Sequence, residues 1–106
     1  MKKIEFNNLE ELLSFNIKYY RYLNGLSQEK LSELTNLVPS YISDIERGRH
    51  MPTIKNIANI ANALDIEPYI LLKNVERDNE ILSKINSTRQ YNQNNRRDTN
   101  NDKTNL

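Results

Sequence analysis

QEKLSELTNLVPSYISDIERGR, residues 28–49, holds two short apolar-periodic segments on either side of a break at Thr35-Asn36-Leu37. Leu31 and Leu34 mark one face of the first segment, and Ile42 and Ile45 mark one face of the second. A spacing of three fits a helix of 3.6 residues per turn. Segments this short do not hold themselves helical in water, so both must pack on other parts of the chain. Two short helices joined by a tight turn describe a helix-turn-helix, an arrangement whose second helix can enter a DNA major groove. Asn36 sits where the turn needs a left-handed residue, and Asn is the commonest substitute for Gly there.

Upstream, Met1 to Asn8 is a polar lead with Ile4 and Phe6 as anchors. A first helix is expected from Leu9, with Leu9, Leu12, Leu13, Ile17, Tyr20 and Leu23 on one side. Asn24-Gly25 ends it, Gly25 being free to take a positive φ. Ser27 is the expected N-cap of the second helix, with Glu29 in its first turn. The third helix begins near Pro39, where a missing N–H costs nothing, and runs to about Arg47 before Gly48 closes it. Thr53 caps a fourth helix whose buried stripe is read as Ile54, Ile57, Ala58, Ala61 and Leu64, with Asp65 in place of a glycine stop. Pro68 opens a short fifth helix carrying Ile70, Leu71 and Leu72.

Five helices, short connections and no strand signal give an all-α bundle over residues 9–73. Residues 74–86 thin out to Val75, Ile81, Leu82 and Ile85 among charges, and either extend the fifth helix or form a sixth. From 87 to 106 the chain is Asn, Gln, Ser, Thr, Arg and Asp with little to bury, and reads as a disordered polar tail.

Composition narrows the function classes. The 106 residues carry a net charge of +1, which neither demands nor forbids nucleic acid, because binding needs a local basic face. There is no cysteine, hence no disulfide framework and no thiolate zinc site. One histidine, no glycine-rich phosphate loop and no clustered acid–base set speak against an enzyme, and no cofactor or metal is expected. No apolar run approaches the roughly 20 residues that span a bilayer, and no signal peptide is visible, so a cytoplasmic location is expected. No second, ligand-sized domain follows the five helices, so no effector pocket is expected. Regulation is expected to come from a protein partner, proteolysis or the chain's own concentration.

The run Gly25-Leu26-Ser27-Gln28-Glu29-Lys30-Leu31, followed by Ser40-Tyr41-Ile42-Ser43-Asp44-Ile45-Glu46-Arg47-Gly48-Arg49 and by Pro52-Thr53, resembles the Cro/phage-repressor (XRE) family of helix-turn-helix DNA-binding domains. The resemblance covers about Asn16 to Leu72 and implies a five-helix lambda-repressor-like fold. It also implies a sequence-specific double-stranded DNA-binding transcriptional regulator, a repressor acting as a homodimer on a palindromic operator. The alternative is a protein-interaction module that uses the same fold to hold a protein partner.

By that resemblance Pro39, Ser40, Ser43, Asp44 and His50 face base edges. Gln28, Tyr41, Arg47, Arg49 and Lys55 face phosphates, and Arg21 with Glu46 form a structural ion pair that orients the third helix. Val38 stands where the family carries a Ser or Thr cap, so Ser40 is a candidate to cap the helix instead. Pro39 offers only apolar contact, such as to a thymine methyl, and Asp44 can accept from a cytosine amino group while repelling phosphates.

Plainer roles compete with these. Ser40 and Ser43 also suit a cap or a solvated surface. Tyr41 also suits packing beside Ile42, and Arg47 and Arg49 also suit solvated charge at a helix C-terminus. Tyr19, Tyr20 and Tyr22 are better read as packing than as base-stacking platforms. Ile81, Leu82 and Ile85, with Leu71 and Leu72, make either a dimer surface or packing back on the bundle.

Overall fold

The computed structural model describes residues 3–87. The helices are α1 (Leu9–Leu23), α2 (Gln28–Thr35), α3 (Pro39–Glu46) and α4 (Ile54–Ala63), followed by a 3-10 helix (Pro68–Leu72). The chain is helical again over residues 79–87. The remaining regular structure among the described residues is an isolated β-bridge at Arg77. Beyond residue 87 the expected polar tail lies outside the described residues.

Helices α1, α2 and α4 start where a side-chain cap puts them. Asn8 accepts the Glu11 N–H at 2.8 Å, Ser27 accepts the Lys30 N–H at 2.9 Å and Thr53 accepts the Asn56 N–H at 3.1 Å. Helices end on left-handed residues: Gly25 follows α1, Asn36 (φ 62°) caps α2, Gly48 follows α3 and Asp65 (φ 60°) stands in for glycine after α4. Asn36 therefore makes the turn of the helix-turn-helix.

Leu13, Ile17, Leu31, Ile42, Ile45, Ile60, Ala61, Leu64 and Leu71 form one apolar core, with Ile57 and Tyr20 packed at its edge. Several expected core positions are corrected. Leu9 and Leu23, at the two ends of α1, are exposed. Leu34 is exposed, because the buried residue on that turn of α2 is Thr35. Its hydroxyl makes this possible by donating to the Leu31 carbonyl at 2.8 Å and accepting the Leu37 N–H at 3.3 Å. Ile54 is 85% exposed and Ala58 also faces out, while Ile60 is fully buried. α4 is apolar on two overlapping faces, and the one centred on Ile57, Ile60, Ala61 and Leu64 meets the bundle. The fifth helix is a single 3-10 segment, with i→i+3 bonds from Ile70 N–H to Glu67 O (3.0 Å) and from Lys73 N–H to Ile70 O (3.2 Å).

Residues 74–87 do not extend that segment. Asp78 starts a separate helix by accepting the Glu80 N–H at 2.8 Å. Ile81, Leu82 and Ile85 pack on Tyr19, with Ile4, Phe15 and Tyr22 alongside. These three side chains are thus buried within one chain, and of the apolar set considered for a dimer surface only Leu72 is exposed. The lead, α1 and the 79–87 helix form a second layer behind the helix-turn-helix. At its centre Arg77 is fully buried. It donates to Asn16 Oδ1, to Asn74 Oδ1 (3.0 Å) and to the Val75 carbonyl (3.0 Å), and its guanidinium lies 5.3 Å from the ring centroids of both Phe6 and Phe15. Asn16 also donates to the Leu71 and Lys73 carbonyls at 2.9 and 3.0 Å, which ties this layer to the 3-10 helix.

Candidate nucleic-acid interface

α3 carries its apolar residues Ile42 and Ile45 inward together with Glu46. The other side of the helix presents Ser40, Ser43, Asp44 and Arg47, at spacings of three and four. Ser40 and Arg47 are exposed, and Ser43 and Asp44 are half-buried. Pro39 is exposed at the first position, beside Val38 at 62% exposure.

The sequence left open whether Ser40 caps this helix. It does not: Val38 is the N-cap, with no side-chain cap bond, and its carbonyl takes the Tyr41 and Ile42 N–H groups at 3.1 and 3.3 Å. Pro39 has no N–H to satisfy, so the helix can begin without a polar cap. The Ser40 hydroxyl is left on the open face.

The orientation of α3 is set by a buried ion pair. Arg21 on α1 meets Glu46 in a two-pronged contact, Nε to Oε2 at 2.7 Å and Nη2 to Oε1 at 2.9 Å, and its Nη1 donates to the Leu26 carbonyl at 2.9 Å. Burial pulls the Arg21 pKa down, but the hydrogen bonds and charge of Glu46 outweigh it and hold the group above its usual value. Gln28 is drawn into the same network, donating to Glu46 Oε1 at 3.0 Å. Its amide therefore bridges the start of α2 to the end of α3.

Tyr41 is half-buried and its hydroxyl accepts from the Asn56 amide at 3.2 Å, which links α3 to the first turn of α4. The exposed His50 ring lies against it, centroids 6.0 Å apart. Arg49 N–H and His50 N–H both return to the Asp44 carbonyl, at 2.8 and 3.3 Å, folding the segment after α3 back onto the helix. Arg47, Arg49 and Lys55 have exposed side chains, Lys55 one residue into α4.

Two supports for this face escaped the reading of the sequence. Asn59 donates to the Thr35 carbonyl at 2.7 Å, fixing α4 against the end of α2, and the Ser32 hydroxyl donates to the Leu37 carbonyl across the turn. The signal was present for α4: Asn56 and Asn59 stand three apart, a polar line beside the apolar face of the helix.

Comparison with known proteins places this arrangement. The helix-turn-helix family model HTH_3 matches residues 17–71. Control protein C.SmaI of Serratia marcescens is 37% identical over 60 residues, which span 57% of this chain and 71% of that protein. The crystal structure of the hypothetical transcription factor NHTF from Neisseria superposes with a TM-score of 0.63 at 31% identity, covering 70% of this chain and 85% of that one. The restriction-modification controller protein C.Esp1396I, solved as a tetramer with its natural 35-base-pair operator, superposes at 0.57 with 35% identity, covering 62% and 87%.

Proposed function

The chain belongs to the HTH_3 helix-turn-helix family, and on that premise we propose that it is a DNA-binding transcriptional regulator that represses as a homodimer on a palindromic operator. The observation that carries this reading is the α3 face. Glu46, the acid that would repel DNA at the end of the helix, is turned inward onto Arg21, while Ser40, Ser43 and Arg47 stay outward. Helix α3 enters the major groove with Pro39, Ser40, Ser43 and Asp44 toward base edges and His50 at the groove margin. Arg47, Arg49 and Lys55 hold phosphates. Gln28 and Tyr41 act from half-buried positions, each presenting what remains of its polar tip to the backbone while fixing the angle of α3.

A half-site read by one eight-residue helix is short, and pairing two about one helical turn of DNA apart restores affinity and specificity. The relative crystallised as a tetramer on a single operator supports several protomers sharing one duplex. The competing reading, a module that binds a protein partner through the same fold, loses one support, because Glu46 is committed to Arg21 and not offered on the surface.

The test is selection of bound duplexes from random sequence, then titration of the best one at several salt concentrations. A palindrome bound by two protomers is expected. Arg47→Ala and Arg49→Ala should each flatten the slope of log affinity against log salt by about 0.9, the release of one phosphate contact. No enriched site, together with a salt slope the two substitutions leave untouched, would move the function to the protein-binding reading.

A further inference from the structure

The leading end of α3 is apolar where the rest of its outward side is polar. Val38, the N-cap, is 62% exposed, and Pro39 beside it is exposed as well. Behind them Ser40, Ser43, Asp44 and Arg47 all carry groups that can hydrogen-bond. The backbone at this edge is already engaged. The Leu37 N–H reaches Thr35 Oγ1 at 3.3 Å, the Leu37 carbonyl accepts the Ser32 hydroxyl, and the Val38 carbonyl takes the Tyr41 and Ile42 N–H groups. Pro39 has no N–H at all. The side chains of these two residues therefore offer hydrocarbon alone.

Exposed apolar side chains are ordinary on a protein surface and by themselves mean nothing. This pair differs in its place and in what it forgoes. A serine or threonine at an N-cap bonds the first-turn N–H groups, and the valine makes no such bond. Burial does not compensate, since most of the valine stays in water. Neither helix capping nor packing within the chain accounts for valine at this position. Entry of α3 into a major groove does. The N-terminal residues of a reading helix lie against base edges, and the apolar group those edges carry is the methyl on pyrimidine C5.

We infer that Val38 and Pro39 together read a pyrimidine C5-methyl group in each half-site, which makes Val38 a specificity-determining residue of the interface. The inference rests on the DNA-binding reading above. Neither side chain donates or accepts a hydrogen bond, so the pair recognises the methyl and is indifferent to the thymine O4 or cytosine N4 beside it. Thymine and 5-methylcytosine are thus equivalent to it, and uracil and unmodified cytosine are equally poor.

The test uses the full chain and the duplex chosen by the selection described above. Each thymine of one half-site is replaced in turn by deoxyuridine, which deletes the methyl and leaves the hydrogen-bonding edge intact. At one position affinity should fall about three- to fivefold, the worth of burying one methyl group. A 5-methylcytosine–guanine pair placed at that position should bind more tightly than cytosine–guanine there, by the same factor. Val38→Ala should bring both ratios toward one. Lys55→Ala, at a phosphate position, should weaken all of these duplexes alike and leave the ratios standing. A scan in which no deoxyuridine weakens binding, or equal binding of methylated and unmodified cytosine, overturns the inference while DNA binding stands. So does a Val38→Ala protein that loses affinity for every duplex equally and keeps the original ratios, because Val38 then only supports the fold. A selection that enriches no duplex breaks the DNA-binding reading, and this inference with it.

Discussion

Two arginines are buried among the described residues, and they are held by opposite means. Arg21 lies between α1 and α3 with the Glu46 carboxylate on two of its nitrogens, and its pKa is raised. Arg77 lies between α1 and the 79–87 helix, completely buried, with amide and carbonyl oxygens and aromatic faces around it. Among the described residues no carboxylate is its partner and its Nε has no acceptor, and burial pulls its pKa down. The first arrangement fixes direction, because a two-pronged pair tolerates little rotation of α3 against α1. The second collects: one guanidinium gathers α1, the lead and the 74–79 connection around itself. The helix-turn-helix is thus aligned by a compensated charge, and the layer behind it is assembled around an uncompensated one.

The largest expected effect comes from breaking the compensated pair. Glu46→Ala leaves Arg21 as an unpaired buried cation and strips Gln28 of its acceptor, and should cost about 3–5 kcal/mol of stability by urea denaturation. Arg77→Met should cost less, about 1–3 kcal/mol, because it removes an uncompensated charge even as it orphans the Asn16 and Asn74 oxygens. If Arg77→Met proves the more damaging of the two, the carbonyl and aromatic cage compensates the cation as well as a carboxylate does, and the contrast between the two layers fails. The second layer also predicts a local consequence. Amide exchange over residues 79–87 should accelerate in Arg77→Met far more than exchange in α2 and α3.

The same contrast explains which parts of the structure could be read from the sequence. The caps Ser27 and Thr53, the left-handed Asn36 and Asp65, and the core residues Leu31, Ile42 and Ile45 all act locally or by helical period. Their types announced their roles. The pair of Arg21 and Glu46 came from the family resemblance alone, since 25 residues separate them and no periodicity joins them. Arg77 had no such precedent. It stands in a charged stretch, Glu76-Arg77-Asp78, where an arginine normally means solvent, and only the convergence of Phe6, Phe15 and Tyr19 makes it internal. On α4 the difficulty was the reverse: with so many apolar residues a stripe through Ile54 and Ala58 fits the helical period, yet the bundle buries Ile60 and leaves Ile54 exposed. At the interface, the open face of α3 followed from its buried one, whereas the roles of Gln28 and Tyr41 as struts depend on Glu46 and Asn56, distant positions that no local pattern reveals.

A smaller effect tests whether α3 is held from without rather than by its own ends. Of the helices α1 to α4, it is the one whose N-cap makes no side-chain bond. Val38→Ser supplies an oxygen for the N–H groups of the first turn and should stabilise the protein by about 0.5–1 kcal/mol, the ordinary worth of a cap. It also removes an exposed valine beside Pro39, so the two readouts separate cleanly. If α3 is oriented by the Arg21–Glu46 pair, the added cap raises the denaturation midpoint without changing affinity for the phosphate backbone, read as the salt slope on an unselected duplex. Preference for the selected operator falls only if Val38 itself touches a thymine methyl. A Val38→Ser protein whose salt slope shifts would mean that the first turn of α3 moves when capped, and that the buried pair does not by itself set the angle at which the helix meets DNA.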